Sequence, residues 1–371
     1  MRQVLPFSRH LPWVLLMAAL ALTLIAPALA QEEEVVSTVN GDPISRADFH
    51  ARVQLVRWQY LRELSTLYEL TGGNLALVAT HATRLVASLS DPLALADAVL
   101  SEMETERLLW QAGEARGLTP AAEDAAAREA AFFSLWTNVP ISELSGNAAA
   151  QAFITDWYAG AQAASGLGRD DILPLFATEA LRARLYDLVA ASVPAEEPAV
   201  RSRHILCSFH PDQPDNTAPP TDAEREAARQ CIRSAQTRLA TGEPFADVAA
   251  ALSDDRVSAA RGGDLGWVLL SYLTEAYANA AREADLNTIV GPVETEYGLH
   301  LIEVLDRRVQ TLTEEQYQEA QQGYFELWVD DLRAQATITR ADDWDVNVPD
   351  TPDLSTLDVA VQQAIAQLVG E

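Results

Sequence analysis

The sequence contains no lysine, so all 26 of its basic residues are arginines. This absence excludes Schiff-base chemistry on a lysine and the lysine of a phosphate-binding loop. Cysteine is almost as scarce, since Cys207 and Cys231 are the only two in 371 residues. No cluster of histidine, cysteine and carboxylate residues has the spacing of a metal site. We therefore expect neither a bound metal nor a cofactor.

Positive charge is also in short supply. The 26 basic residues stand against 54 acidic ones, and the formal net charge is -28. Such a surface repels phosphate backbones and anionic lipid, so we expect no nucleic-acid partner and no binding to a membrane surface. The charge suits a soluble protein that stays dispersed while it handles unfolded chains. Acidity as a trait of solubility or habitat explains the same surface.

One long apolar run is present, at residues 13–26. Arg2 and Arg9 precede it, and the small-x-small sequence of residues 28–30 follows it. This layout predicts a secretory signal peptide over residues 1–30, and therefore a periplasmic or extracytoplasmic location. The alternative is an uncleaved membrane anchor, for which the run is short. No cysteine stands directly after the run, so a lipid-anchored form is not supported.

The chain after the signal reads as mostly helical as far as residue 191. A short alternating run at residues 35–39 leads into the turn dipeptide Asn40-Gly41 and then into the first helix. Glycine and proline at residues 72–73, 91–92 and 117–120 predict breaks between helices. A linker with two prolines and two acids follows at residues 193–198.

A mixed segment follows the linker. Its pattern predicts strands over 203–207, 263–268 and 298–305, and helices over 221–240, 245–252 and 274–284. A further helix is predicted over residues 314–336, with Thr313 and Gln316 as its capping pair. A small β/α unit is thus inserted between helical segments.

Two histidines occupy complementary strands of the mixed segment. His204 lies in its first predicted strand and His300 in its last. Side chains alternate along a strand, so the two imidazoles can meet on one face if those strands are neighbours. A lone histidine on an apolar strand is usually a satisfied core residue, but a pair at both ends of one unit favours a functional role.

The segment of residues 253–267 lies between these strands. Its polar run and the pair Gly262-Gly263 predict a tight loop that feeds a short strand. The loop does not open a helix of phosphate-binding type and has no lysine. Read alone, Asp254 and Asp255 are a solvated loop tip.

Five blocks of the mixed segment together closely resemble the parvulin domain of peptidyl-prolyl cis/trans isomerases. They are residues 203–206, 242–249, 253–267, 291–295 and 298–304, in the family's order and spacing. The resemblance covers about residues 199–309. The flanking chain resembles exported foldases of the PrsA and SurA kind, through residues 39–44 and through its helical texture.

The resemblance implies an α+β fold, in which a four-stranded antiparallel parvulin domain is inserted in a discontinuous, all-helical, chaperone-like domain. The expected organisation is a signal peptide (1–30), an N-terminal helical domain (31–198), the parvulin domain (199–309), a C-terminal helix that completes the helical domain (310–346) and a tail (347–371). The role of the tail stays open.

Carried over position by position, the resemblance implies a catalytic site of His204, Asp255 and His300, with Thr295 beside the second histidine. Asp255 falls where the family has Cys or Asp facing the substrate peptide bond. The two histidines and Thr295 would form a polar network that holds Asp255 beside the substrate carbonyl.

The same resemblance implies a pocket for the proline ring made by Leu265, Leu273 and Tyr277. Leu273 stands where Met is frequent, and Tyr277 where Phe is frequent, so the shape of the pocket departs somewhat from the common one. The implied function is peptidyl-prolyl isomerisation and chaperoning of unfolded exported polypeptides that contain X-Pro bonds. The alternative is a chaperone or proline-segment binding module whose parvulin domain has little activity.

Two further expectations concern the first strand and the loop after it. The loop at residues 208–216 is acidic and lacks arginine, so we expect no phosphate-directed recognition. Cys207 points away from the His204 face by strand parity, and Cys231 lies on the apolar stripe of the next helix. If that helix packs on the back of the sheet, the two cysteines can form a disulfide, the alternative being two buried free thiols. The sequence leaves clients and oligomeric state open.

Overall fold

The structure is a computed structural model that describes residues 34–213 and 216–370. The predicted signal peptide, the alternative membrane anchor and residues 214–215 of the acidic loop lie outside the described residues. Within the described ranges, no helix has both the length and the apolar character needed to cross a bilayer.

The secondary structure is mainly helical, with two antiparallel sheets. The helices are α1 (Arg46–Leu70), α2 (Ala79–Ser90), α3 (Pro92–Glu114), α4 (Ala122–Thr137), α5 (Ile141–Leu144), α6 (Ala148–Ser165), α7 (Arg169–Ala190), α8 (Asp222–Ala240), α9 (Phe245–Leu252), α10 (Arg256–Ala259), α11 (Glu275–Glu283), α12 (Glu314–Gln335) and α13 (Val359–Val369). The strands are β1 (Val35–Val39), β2 (Asp42–Ser45), β3 (Glu196–Ser208), β4 (Asp264–Leu269), β5 (Ile289–Thr295), β6 (Gly298–Thr311) and β7 (Ile338–Arg340).

The chain divides into two compact units. Unit 1 comprises the described residues up to Ala112, Pro120–Thr178 and the chain from Gln335 onward. Unit 2 comprises Gly113–Thr119 and Glu179–Ala334. The boundaries of these units differ from the expected domain boundaries. The expected domains therefore stay a prediction.

The predicted breaks in the helical stretch are confirmed, because α1 ends before the glycine pair, α3 begins at Pro92 and α4 begins after Pro120. The structure adds two breaks that the sequence pattern did not predict. Asn138 and Gly166 end α4 and α6 in the left-handed conformation, with φ of 52° and 76°. Asn and Gly tolerate that conformation, so either residue can stop a helix without proline.

The helices of unit 1 enclose an aromatic core. The Trp157 ring packs edge-on against Phe133 at 5.5 Å and against Trp58 at 5.1 Å between ring centroids. Such pairs contribute about 0.5–1.5 kcal/mol each beyond the burial of their area. Trp58, Phe133 and Trp157 therefore form part of a hydrophobic core.

The C-terminal part of the chain belongs to unit 1. Strand β7 pairs with β1 in a three-stranded sheet of order β2-β1-β7, which the sequence pattern did not predict. In the tail, Val361 and Ile365 of α13 are buried in one cluster with Leu64 and Leu85. The tail thus packs as part of a hydrophobic core.

Unit 2 contains a four-stranded antiparallel sheet of order β4-β3-β6-β5. The α+β fold with this sheet agrees with the architecture that the resemblance implies. Strand β5 was not apparent from the residue pattern, because a glycine and a proline at residues 291–292 interrupt its alternation. The central strands β3 and β6 pair along their whole length, from Glu196–Thr311 to Ser208–Gly298.

The two faces of this sheet differ, and we name them by their contents. The disulfide face carries Ile205, Cys207 and Leu301, and α8 and α9 cover it with apolar residues. The histidine face carries His204 and His300, with Val200, Ile302 and Val304 beside them, and α11 packs there. The alternation of side chains along β3 and β6 separates the two sets.

Unit 2 also contains the end of α7 and nearly all of α12. The Tyr186 and Phe325 rings meet edge-on, with centroids 5.5 Å apart. The Gln321 side chain donates to the Ala190 carbonyl at 3.3 Å, and the Tyr317 hydroxyl donates to the Val193 carbonyl at 3.3 Å. Helix α12 is thus anchored to the end of α7 and to the start of the linker.

Candidate active site

The register of the two central strands brings the histidines together. His204 pairs with Ile302 and His300 pairs with Leu206, so the two histidines are diagonal neighbours on one face. Their rings stack at 5.4 Å between centroids, and the two Nδ1 atoms are 3.2 Å apart. Both side chains are buried. The sequence-based expectation that the imidazoles meet is confirmed.

The loop after α9 places Asp255 beside them. The Asp254 N–H donates to the Leu206 carbonyl at 2.8 Å, and the Ser253 hydroxyl accepts the Leu206 N–H at 3.1 Å. The loop is thus fastened to β3 just before Asp255, whose Oδ2 lies 2.9 Å from His204 Nε2. Asp255 is therefore more than a solvated loop tip.

A glycine closes this loop against the strand. Gly263 has φ of 85°, and its carbonyl accepts the His204 N–H at 2.9 Å. A Cβ on Gly263 would lie 2.4 Å from the His204 carbonyl oxygen. Only glycine satisfies both the backbone conformation and this close approach. Gly263 thus sets the distance between the loop and β3.

The hydrogen bonds of the site indicate which atoms donate and which accept along the network. Ionised Asp255 can only accept, so His204 Nε2 carries a proton, and in the neutral form of His204 the Nδ1 atom is an acceptor. His300 Nδ1 then donates to His204, and the Thr295 hydroxyl donates to His300 Nε2 at 2.8 Å. The Tyr297 N–H donates to the Thr295 oxygen at 3.2 Å. With both imidazoles neutral, the chain of donors runs from the backbone of Tyr297 to the carboxylate.

The charges of the site follow from these bonds and from burial. The hydrogen bond from His204 holds the pKa of Asp255 well below its usual range, against the opposing effect of burial, and the Ser258 hydroxyl and N–H lower it further. Burial lowers the pKa of His300 to about 3, and the neighbouring His204 lowers it as well. Asp255 is therefore ionised and His300 neutral at physiological pH.

The three expected pocket residues lie in one cluster on the histidine face. Tyr277 is buried, and its ring meets the rings of His204 and His300 edge-on, at 6.0 and 5.6 Å. Leu265 and Leu273 are partly buried against the same cluster. Burial also raises the pKa of the Tyr277 phenol, so the ring stays neutral. The structure thus brings all three residues to the face that carries the imidazoles.

Two serines of the site were missed by sequence reasoning. The Ser258 hydroxyl bonds the Asp255 carboxylate and lies 3.1 Å from His204 Nε2. Asp255 caps the short helix α10 through the N–H groups of Val257 and Ser258, and a serine three residues after the aspartate was the available signal. Ser202 lies 3.1 Å from the Tyr277 hydroxyl and had no comparable signal.

The two cysteines are joined in a disulfide on the opposite face of the sheet. Cys207 and Cys231 have Cα atoms 5.9 Å apart and link β3 to α8. Cys207 is buried in the core cluster of the disulfide face, and Cys231 is partly buried against that cluster. Within the described parts of the chain, no group of three or more histidine, cysteine or acidic side chains is arranged to hold a metal ion.

The sequence of this region also matches a known family model. Residues 204–306 match the model described as rotamase, the PPIC-type PPIase domain. The chain contains a PPIC-type PPIase domain. The matched range includes every expected catalytic and pocket residue, and the PPIase domain lies wholly within unit 2.

The chain is also partly similar to curated proteins. The chain is 35% identical over 147 residues to Chaperone SurA of Chromohalobacter salexigens, which covers 37% of this chain and 32% of that protein. It is 36% identical over 115 residues to Chaperone SurA of Nitrosococcus oceani, which covers 31% of this chain and 25% of that protein. The chain therefore spans about a third or less of the length of these relatives.

The chain also aligns with solved structures at low sequence identity. The peptidylprolyl isomerase PrsA of Bacillus cereus aligns with 91% of this chain and 98% of its own, at 15% identity and a TM-score of 0.37. PrsA of Bacillus anthracis aligns with 63% of this chain and 93% of its own, at 17% identity and a TM-score of 0.34.

Proposed function

We propose that this protein is a peptidyl-prolyl cis/trans isomerase that also acts as a chaperone for unfolded exported polypeptides. The observation that carries the proposal is the ordered hydrogen-bond chain from Thr295 through His300 and His204 to Asp255, in a domain that matches a PPIase family. The proposed PPIase domain is residues 199–309, carried by helical segments at residues 31–198 and 310–346.

The reaction needs no bond to break. Rotation about an X-Pro bond meets a barrier of about 18–20 kcal/mol because the amide is stabilised by resonance. A protein lowers that barrier by binding the twisted amide more tightly than the planar one. In the proposed site, Leu265, Leu273 and Tyr277 hold the proline ring in apolar surroundings, so that the amide turns out of contact with water.

The polar network provides the second part of the proposed mechanism. The Asp255 carboxylate would lie beside the substrate carbonyl, whose polarisation decreases as the amide twists. The hydrogen bond from His204 Nε2 holds that carboxylate in place, and His300 in turn holds the His204 ring. This preorganised charge favours electrostatic, non-covalent catalysis over nucleophilic attack.

Location and clients form a separate part of the proposal. The predicted signal peptide indicates export, and the Cys207–Cys231 disulfide fits an oxidising, extracytoplasmic compartment. The partial similarity to proteins named Chaperone SurA supports a role in handling unfolded polypeptides. We propose polypeptides with X-Pro bonds as substrates, without recognition of phosphate.

The test is turnover of a short proline peptide by the full chain and by His300→Ala. We expect kcat/KM to fall by roughly a hundredfold, because the variant removes the link between Thr295 and His204. His210→Ala is the matched control, since His210 is hydrogen-bonded to the Ala218 carbonyl at 2.9 Å, outside the network. Circular dichroism of both variants checks that they are folded.

Equal turnover by the wild type and His300→Ala would remove the enzyme assignment. It would leave the alternative, a chaperone or a module that holds proline-containing segments with a weakly active PPIase domain. The chaperone part is tested separately by the aggregation of an unfolded protein in the presence of the full chain. No suppression of aggregation would leave an isomerase alone.

A further inference from the structure

Unit 2 contains a groove outside the proposed active site. It has a volume of about 580 Å³ and lies between α12 and the segment that follows β4. We call it the α12 groove. Its apolar lining is given by Leu269, Tyr272, Ala320, Tyr324 and Leu327. The volume is in the range of sites that bind small molecules or short peptide segments.

Three of the five apolar side chains that line the α12 groove are exposed. Tyr272, Tyr324 and Leu327 have exposed fractions of 53%, 49% and 65%. The Tyr272 hydroxyl donates to the Glu319 carboxylate at 2.7 Å, so one aromatic ring is fixed across the groove. Exposed apolar side chains that include a fixed aromatic ring are typical of a surface that binds another polypeptide.

Four carboxylates surround this apolar lining, at Glu197, Glu319, Glu326 and Asp330. The donors that reach three of them are neutral. Glu197 accepts from the Ser271 N–H at 2.8 Å, Glu319 from the Tyr272 hydroxyl, and Glu326 from the Gln322 side chain at 2.8 Å. Neutral donors orient these carboxylates but leave their negative charge in place, and that charge favours a cationic occupant.

The groove and the proposed proline pocket share one short segment of chain. Leu269, Ser271 and Tyr272 line the groove, whereas Leu270 and Leu273 belong to the core cluster that contains Tyr277. Neighbouring side chains of one five-residue segment therefore face the two sites. A polypeptide held in the groove would have its adjacent residues close to the pocket, which raises their effective concentration there.

We propose that the α12 groove binds a segment of an unfolded client in which arginine or lysine residues flank apolar or aromatic residues. This inference deepens the proposed function and rests on it for the identity of the clients. Charge decides between this occupant and others. A second copy of a chain with net charge -28 is repelled by the acidic rim, as are nucleic acid and anionic lipid.

The experiment measures binding of a fluorescent, proline-free peptide with arginines beside leucine and tryptophan to the full chain. Glu326→Gln combined with Asp330→Asn keeps shape and removes charge, and we expect it to weaken binding by roughly three- to tenfold. Leu327→Ser should weaken binding by roughly tenfold, because the leucine becomes buried on binding. Added salt should weaken binding to the wild type.

Matched controls come from the same unit. Glu315→Gln with Asp331→Asn removes two exposed charges of the same stretch that do not line the groove. Val309→Ser alters an apolar side chain that is 65% exposed, the same fraction as Leu327. Both controls should bind the peptide as the wild type does.

Several results would overturn the proposal: no binding, equal losses in groove and control variants, or equally tight binding of a peptide with aspartate in place of arginine. The peptide contains no proline, so the result does not depend on isomerase activity. An inactive PPIase with intact, groove-dependent peptide binding would overturn the proposed enzyme function alone.

Discussion

The two faces of the four-stranded sheet are made by the same strands, but one is an apolar core and the other carries a polar hydrogen-bond network. On the disulfide face, Ile205, Cys207 and Leu301 pack against apolar side chains of α8 and α9. On the histidine face, two imidazoles are buried next to a tyrosine and depend on one another for hydrogen bonds. Burying polar groups costs free energy unless each finds a partner.

This contrast indicates that one face of the sheet contributes mainly to stability and the other mainly to the proposed active site. The disulfide face gains stability from apolar burial and from the covalent link between β3 and α8. The histidine face has less apolar burial, because it holds an ionised carboxylate and two imidazoles in a fixed arrangement. Changes on the first face should therefore alter the free energy of unfolding, and changes on the second should alter turnover and its pH dependence.

The largest expected effect is on the disulfide face. Ile232 of α8 is 2% exposed, and Ile232→Ala should lower the free energy of unfolding by about 2–5 kcal/mol, because it leaves a cavity. The turnover of the folded protein should stay within about twofold of the wild type, because the cavity is remote from the imidazoles. Denaturant unfolding measures the first quantity and a proline-peptide assay the second.

Ile289→Ala is the matched control for this change. Ile289 of β5 is 40% exposed, so the same truncation should cost less than about 1 kcal/mol. A large loss of turnover in folded Ile232→Ala would show that the two faces are not independent.

The next effect concerns the disulfide. The double variant Cys207→Ala with Cys231→Ala opens a link that spans 24 residues, and it should lower the free energy of unfolding by about 2–4 kcal/mol. Reduction of the wild type by a dithiol should give a similar loss, and reduction of the double variant should change nothing. Unchanged unfolding of the wild type on reduction would contradict this role of the disulfide.

The effect that is smallest at neutral pH is a pH dependence from the histidine face, because it lowers stability only below pH 6.5. Burial lowers the pKa of His300 to about 3 in the folded protein, whereas the unfolded chain has a histidine pKa of about 6.5. The stability contribution is complete above pH 6.5. Below pH 6.5 the unfolded chain binds a proton at this histidine, whereas folded His300 stays neutral. The free energy of unfolding therefore falls by about 1.4 kcal/mol per pH unit until the folded pKa is reached.

The comparison that isolates this contribution is His300→Gln, which keeps hydrogen-bonding groups and removes the titration. Unfolding of both proteins is measured between pH 6.5 and pH 4, where the wild type should lose stability more steeply than the variant. Equal slopes in the two proteins would mean that His300 is not kept neutral by burial.

The site was predictable from the sequence where local pattern sets the outcome. Strand alternation predicted that His204 and Cys207 point to opposite faces, and both placements are observed. The four catalytic candidates came from a resemblance of ordered blocks, and the structure brings them into one hydrogen-bonded chain. Ser202 escaped notice because its partner, Tyr277, is 75 residues away and no local motif joins them.

By itself, the sequence determined the helical texture, the breaks at glycine and proline, the acidic surface and the residue types of the site. These depend on backbone preference, side-chain periodicity and charge, all of which act over a few residues or over the whole composition. Tertiary structure alone decided the pairing of β7 with β1, the burial of the tail and the α12 groove. Those features join segments that are far apart in the chain. The free energy that brings such segments together comes from long-range packing, which the pattern of a short stretch does not reveal.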